Sequence, residues 1–371
     1  MWHTSGRVVL LKCEYVGRCG GCGWGELQPA LQIEQKIAQV RGIFPQARFV
    51  FTPEARVRDK VDLVWEEGRL GLYEIHKENE RSKILDLEHC VMMSAELETF
   101  FKEFRKLKPP IRKGSVRLRV SPQGERGAWL DFANQDVKTL FDEKNYLRAL
   151  SEIAFVEIGQ RRKHLIWKEG APKLTDPVLT PWFETYDAQG KAIPLFGPVG
   201  GFSQTGFQAN RALVDTVVRA VKSSGISRWL ELFSGNGNFS LALAATGLDV
   251  EAIEMDELAL QGLEKSLASL DRRLTIKFGR ADVYLKSKNL PAIEGRGLLV
   301  DPPRAGLREL LQVLEQGEKP QAIVYVSCFT DVLLADVEKL KSLGYKISSL
   351  EGVDQFPNSA HAEWIALLTR Q

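Results

Sequence analysis

From residue 206 onward, short apolar runs alternate with longer segments whose apolar positions return every three to four residues. "SRWLELF", "LDVEAIE", "LTIKFG", "RGLLVD" and "AIVYVS" read as strands. "FQANRALVDTVVRAVKSS", "NFSLALAATG", "ELALQGLEKSLASL", "GLRELLQVLEQG" and "DVLLADVEKLKSLG" read as helices. Such alternation builds a parallel sheet covered by helices, an α/β fold. "YKISSLEGV" and "HAEWIALLTR" are closing strands joined by a loop too short for a crossover helix, so they should pair antiparallel at one edge.

The first half has another rhythm. "ELQPALQIEQKIAQVRGIF" sets Leu31, Ile33, Ile37 and Val40 at roughly helical spacing, and Gly42 with Pro45 ends that helix, which should lead away from the segment before it. From about 48 to 190 the pattern is mostly strand-like, with Gly-containing turns, and predicts a small β-rich domain. The chain of 371 residues then divides into 1–47, 48–195 and 196–371. Its opening apolar run is too short for a signal-peptide core, and no segment approaches the roughly 20 apolar residues of a membrane span, so a soluble cytoplasmic protein is expected.

Net charge is only +2, so nucleic-acid binding would need a local basic surface. The β-rich stretch offers one: Lys102, Arg105, Lys106, Lys108, Arg112, Lys113, Arg117 and Arg119, then Arg161, Arg162 and Lys163. A solvated face would look much the same.

Five cysteines in a reducing compartment argue for metal or catalysis rather than disulfides. Cys13, Cys19 and Cys22 lie in "KCEYVGRCGGCGW", where glycines free a loop to wrap sulfurs around one centre, and Cys90 in "LEHCVMMS" adds a fourth. Zinc and an iron–sulfur cluster both accept four thiolates. Cys328 stands apart in "VYVSCFTD", at a strand end, and is either a small buried hydrophobe or a thiol placed to react.

"LELFSGNGNFS" puts Gly235 and Gly237 between a strand and a helix, where backbone approaches a ligand, though without the third glycine of the dinucleotide fingerprint. Glu254 ends the next strand, placed to accept from ribose hydroxyls, Asp282 follows another, and Asp301 precedes a rim made by Pro302 and Pro303. With Glu231 these acids stand at four strand ends, a ring suited to an adenosyl cofactor carrying a positive sulfonium.

Cys-x5-Cys-Gly-Gly-Cys, "FSQ", "LFSGNGNF", "DPPRAG", "YVSC" and "DQFPNSAHAE", in this order, make the chain resemble the RNA 5-methyluridine (uracil-C5) methyltransferases over essentially its whole length, in particular the shorter members lacking the N-terminal TRAM domain. The resemblance implies a Rossmann-like class I S-adenosylmethionine-dependent domain and a [4Fe-4S] cluster on Cys13, Cys19, Cys22 and Cys90. It maps Gln204 to the target uracil and cofactor region, Phe233, Glu254, Asp282 and Asp301 to the cofactor pocket, Cys328 to the nucleophile and Glu363 to the general base. "VRDKVDLV", with Arg58 and Lys60, looks like the family's Arg-Asn-Lys stretch with Asp59 for Asn. "YVSCFT" lacks the Asn-Pro that usually follows the cysteine, Gly206 stands where Asn is common, and Ser234 where Cys is usual; none of these removes a reacting atom.

The chemistry follows from the base. Carbon 5 of uracil is a weak nucleophile until a thiolate adds at carbon 6, so a lowered thiol pKa is wanted, and the helix after Cys328 is expected to help supply it. The base must leave its stack to be reached. The expected partner is RNA, ribosomal (23S) before transfer RNA, and the expected state a monomer. Two other readings fit parts of the pattern: an amino-group methyltransferase with a "DPP"-type acid pocket, which needs neither Cys328 nor Glu363, and a non-catalytic iron–sulfur RNA-binding protein, which binds no S-adenosylmethionine.

Overall fold

The computed structural model describes residues 13–75, 83–131, 137–159, 162–270, 274, 276–280 and 292–370. The C-terminal half is built on an eight-stranded sheet in the order Arg48–Phe51, Tyr345–Val353, Glu363–Arg370, Ala322–Ser327, Gly297–Val300, Arg228–Leu232, Asp249–Glu254, Ile276–Arg280. The last five of these run parallel to one another. Every residue of Gly297–Val300 and Ala322–Ser327 is buried, as a sheet covered on both faces requires.

Alternate side chains of these strands feed two cores. Trp229, Val250, Leu299, Val324 and Ile365 pack with the helix Phe207–Ser223 on one face. Leu230, Ile253, Leu298, Ile323 and Trp364 pack with the helices Glu309–Gln316 and Thr330–Ser342 on the other. The strands and helices expected after residue 206 are all present where the structure is described.

The closing strands do pair antiparallel, but they do not form the edge. Glu363–Arg370 also pairs antiparallel with Ala322–Ser327, and Arg48–Phe51 adds in parallel outside Tyr345–Val353. The helix Pro29–Val40 packs on this sheet too, with Val40 in its core and Lys36 Nζ donating to Asp354 Oδ1 at 2.8 Å. The stretch 29–51, expected to lead away and then to open the central domain, is therefore part of the C-terminal body. A four-residue strand carries no mark of a partner some three hundred residues away.

The hairpin Thr180–Tyr186/Ala192–Gly197 sends Phe183, Ile193 and Leu195 into the core on the Phe207–Ser223 face. The central domain is a second eight-stranded sheet, with strands from Lys60–Glu66 to Ala171–Thr175. It carries helices that strand alternation had hidden. In Ala95–Leu107, Ser94 caps the first turn by accepting from Leu97 N at 3.4 Å, and Leu97, Phe100, Phe101 and Phe104 are buried at helical spacing. Among the described residues no helix is long and apolar enough to cross a membrane.

Candidate active site

Strand register brings the reactive groups together. Ser327 lies opposite Trp364 in an antiparallel pair, so Cys328, just past the one, and Glu363, just before the other, emerge at the same end of the sheet. Val300 lies beside Tyr325 in a parallel pair, which sends Asp301 to that same carboxyl edge. The three groups act on one another. Burial and the neighbouring Asp301 push the Glu363 carboxyl well above the usual carboxylate range. Asp301 is also raised by burial.

Cys328 is half-buried, and its thiol is pushed up to about 11 by burial, then by Glu363 and Asp301, with Arg304 opposing. This is the reverse of the lowered pKa expected from the following helix. Burial comes first among the causes, and the two acids beside the thiol act in the same direction. Phe329, in the place of the usual Asn, lies 5.8 Å from the His361 ring, which in turn meets Phe356 at 6.3 Å. Asp336, which no motif singles out, accepts from Tyr325 OH at 2.8 Å and Leu307 N at 2.9 Å and so fixes the turn that follows Asp301.

The cofactor loop leaves its strand through Phe233, which adopts φ 63°, and enters the helix Asn238–Ala245 at Gly237, φ 91°. A Cβ at Gly237 would lie 2.5 Å from Leu263 Cδ1. Glu254 braces this loop: one carboxylate oxygen accepts from Gly235 N at 2.8 Å, the other from Met255 N and Asp256 N at 2.6 and 2.9 Å. The first oxygen, with a single backbone donor, is the one that keeps an acceptor position. A cleft of about 520 Å³ opens here, lined by Glu254, Met255, Asp256 and, from the central domain, Arg162, which pairs with Asp256 at 2.9 Å. Glu231 is buried, accepts from the Ser240 hydroxyl, and is raised to about 8 by burial. Asp282 lies outside the described residues.

Gln204 sits on the loop 198–206, buried against the sheet edge. Gln355 Nε2 donates both to Gln204 Oε1 at 3.0 Å and to Glu363 Oε2 at 2.6 Å, which joins the loop to the acid. The departures at Asp59 and Gly206 explain each other. Gly206 approaches the central domain so closely that a Cβ would lie 1.9 Å from Val57 O, and no asparagine fits there. Asp59 instead reaches across to accept from Phe207 N at 2.8 Å, capping the helix Phe207–Ser223 from outside.

Over residues 184–371 the chain matches the family model described as tRNA (uracil-5-)-methyltransferase. It belongs to this family. Over its whole length it is 36% identical to an uncharacterised RNA methyltransferase of Bdellovibrio bacteriovorus, covering 98% of that protein. It is 28% identical to the 23S rRNA (uracil(1939)-C(5))-methyltransferase of Thiobacillus denitrificans, over 97% of this chain and 85% of the other. The tRNA (uracil(54)-C(5))-methyltransferase of Pyrococcus horikoshii is also 28% identical, over 97% and 86%. The solved tRNA (uracil-54, C5)-methyltransferase of Pyrococcus abyssi, in complex with S-adenosyl-L-homocysteine, has the same fold with a TM-score of 0.67 at 21% identity, over 95% of this chain and 86% of that one. The C-terminal body is accordingly a class I S-adenosylmethionine methyltransferase fold, and the chain is an enzyme of the RNA uracil-5 methyltransferase family.

In this family member the basic residues of the central domain are mostly spoken for. Lys102 pairs with Glu98, Arg105 with Asp86, Arg112 with Glu67, Lys113 with Glu66, Arg117 with Asp62 and Lys163 with Asp176. Two of these follow from cross-strand register, Asp62 opposite Arg117 and Glu66 opposite Lys113. Arg117, Arg119 and Lys60 are turned to another task, holding the Gln204 loop. Arg117 donates to Gly200 O at 2.6 Å, Arg119 to Val199 O and Ser203 Oγ at 3.0 Å, and Lys60 to Ser203 O at 2.6 Å. Buried Glu157 accepts from Val199 N and Gly200 N at 2.7 and 2.9 Å. Lys106 and Lys108 are exposed, and Arg161 lies outside the described residues. Phe202, on the clamped loop, is 75% exposed, whereas Phe207 packs on Phe183 at 5.1 Å.

Cys19 is buried in the central core, Cys13 and Cys90 are half-buried against it, and Cys22 is half-buried. Burial raises the thiols of Cys19, Cys22 and Cys90, Cys22 to about 12. The four cysteines lie near enough that their charges act on one another, and Arg58 is the cation that opposes the rise at all three raised thiols. Among the described residues no group of three or more His, Cys, Asp or Glu is placed to hold a single metal ion.

Proposed function

We propose that this enzyme methylates carbon 5 of a uridine in RNA, 23S ribosomal RNA foremost, through a covalent bond between Cys328 and carbon 6 of the base, and that it does so as a cytoplasmic monomer. The observation that carries the reading is the convergence of Cys328, Glu363 and Asp301 at one sheet edge, a register consequence that ordinary core packing does not require. When bound, S-adenosylmethionine supplies an electrophilic methyl group on a cationic sulfonium. Phe233, Glu254 and Asp301 are the described residues that would line its site, with Asp282 as the further acid. The chain's own work is nucleophilic addition and proton removal. Cys328 Sγ adds to carbon 6 and makes carbon 5 electron-rich. After methylation the Glu363 carboxylate takes the carbon 5 proton, that C–H pair forms the carbon 5–carbon 6 double bond, and the carbon 6–sulfur pair returns to Cys328.

The direct test is to incubate the protein with labelled S-adenosylmethionine and either 23S ribosomal RNA or transfer RNA lacking 5-methyluridine, then analyse nucleosides by mass. 5-Methyluridine in 23S RNA is expected. The same product in transfer RNA alone would move the target, and a methylated amino group would overturn the reaction.

We read Cys13, Cys19, Cys22 and Cys90 as the ligands of a [4Fe-4S] cluster. Four thiols from two segments gathered at one corner match its donor set in kind and number, and a cluster occupies a wider space than the single-ion geometry these residues lack. Protein purified without air should be brown, with broad visible absorbance that Cys90→Ala removes. A colourless anaerobic preparation containing zinc would exclude the cluster.

A further inference from the structure

Gln355 lies in the loop between the last two strands, buried, and its amide is fully engaged by the two residues on either side of the base site and by Thr205. Its Nε2 donates to Glu363 and to Gln204, and its Oε1 accepts from Thr205 Oγ1 at 3.1 Å. The orientation of this amide is set by chemistry. A general base takes a proton only as a carboxylate, and a carboxylate only accepts hydrogen bonds, so in the proton-removing form of the site the NH2 end of Gln355 faces Glu363, as it does in the structure. The same NH2 then claims Gln204 Oε1. Gln204 Nε2 has no hydrogen-bond partner among the described residues, so what Gln204 has left to offer a base is a donor.

We propose that Gln355 is a positioning residue that sets the hydrogen-bond polarity of the base site, fixing Gln204 as a donor so that the site takes uracil, with a carbonyl at carbon 4, and rejects cytosine, with an amino group there. This rests on the uridine methylation proposed above and deepens it. Two donors facing each other across a closed site leave both unpaired, and that is the kind of mismatch that discriminates strongly. Uracil and cytosine differ at this edge by such an inversion, acceptor against donor.

Two variants separate positioning from mere packing. Gln355→Met keeps length and volume but frees the Gln204 amide to turn over. Gln355→Glu puts an acceptor against Gln204, which should swing its NH2 inward and show its carbonyl to the base. The probes are the RNA in which the unaltered protein makes 5-methyluridine and the same RNA with cytidine at that position, the second measured as a competitive inhibitor of methylation of the first. The ratio of the cytidine RNA's inhibition constant to the uridine RNA's KM should fall about 10- to 100-fold in Gln355→Met and further in Gln355→Glu. General loosening weakens both RNAs alike and leaves the ratio unmoved. An unchanged ratio in whichever variant folds, with uridine still methylated by the unaltered protein, overturns the role of Gln355 alone. Absence of 5-methyluridine with the unaltered protein overturns the functional reading and this role with it.

Discussion

Cys328→Ala is expected to lower methyl transfer by roughly four orders of magnitude or more, because without the thiolate carbon 5 of uracil has no activated form to present. The substitution removes one half-buried sulfur, so the thermal midpoint should stay close to that of the unaltered protein. Full activity in Cys328→Ala would sink the covalent route and favour methylation of an amino group. The thiol also makes a prediction about pH. With its pKa pushed up to about 11, it is nearly all protonated at neutral pH, and its thiolate fraction rises about tenfold for each pH unit below that value. Alkylation by iodoacetamide, followed on the peptide that carries Cys328, should therefore accelerate about tenfold per unit from pH 7 to pH 10. Glu363→Gln removes one of the two carboxylates that raise the thiol, so it should speed alkylation at a fixed pH while stalling release of methylated RNA. A rate that levels off near pH 7 would mean that the thiol lies below its ordinary value, against both burial and the two acids.

The parts of this site that were legible in the sequence are those carried by local pattern. Strand and helix periods after residue 206 place Cys328, Asp301 and Glu254 at strand ends, whereas Glu363 came from the resemblance alone and meets Cys328 through the pairing of Glu363–Arg370 with Ala322–Ser327. What local pattern does not encode is the pairing of distant segments. Arg48–Phe51 finds its partner across the whole chain, and Lys36, an ordinary charged residue of an amphipathic helix, is fully buried because Asp354 waits at the far end of the sequence. Charge was misleading for the same reason. Arg117 and Arg119 look like an RNA-facing pair until the register sets them against Asp62, Glu157 and the carbonyls of the Gln204 loop. Gln355 and Asp336 carry no motif of their own, and their importance lies in what they touch.

Lys36→Ala should be the most damaging substitution outside the reacting groups. Its ammonium and the Asp354 carboxylate are 2.8 Å apart and almost wholly out of water, unlike the exposed pairs of the central domain, each of which is worth only about 0–1 kcal/mol. Burial lowers the pKa of Lys36 and raises that of Asp354, each against the pull of its partner, so the pair adds little net stability over a well-packed apolar replacement. Breaking it is another matter, since one charge is left buried alone, at a cost of about 3–5 kcal/mol. Lys36→Ala should show that loss as a lower urea midpoint for the C-terminal body, and Lys36→Met with Asp354→Asn, which leaves no lone charge, should recover most of it. An unchanged midpoint in Lys36→Ala would mean that water reaches Asp354. The loss should also be felt in turnover. Asp354 directly precedes Gln355, Lys36 donates as well to Phe356 O at 3.2 Å, and on the same helix Gln32 exchanges hydrogen bonds with Asn358. Trp24, two residues past Cys22, donates to Asn358 O at 2.9 Å. The helix that follows the cysteines thereby holds the loop that ends in Glu363. A fall in kcat with little change in RNA affinity is the expected consequence of loosening it.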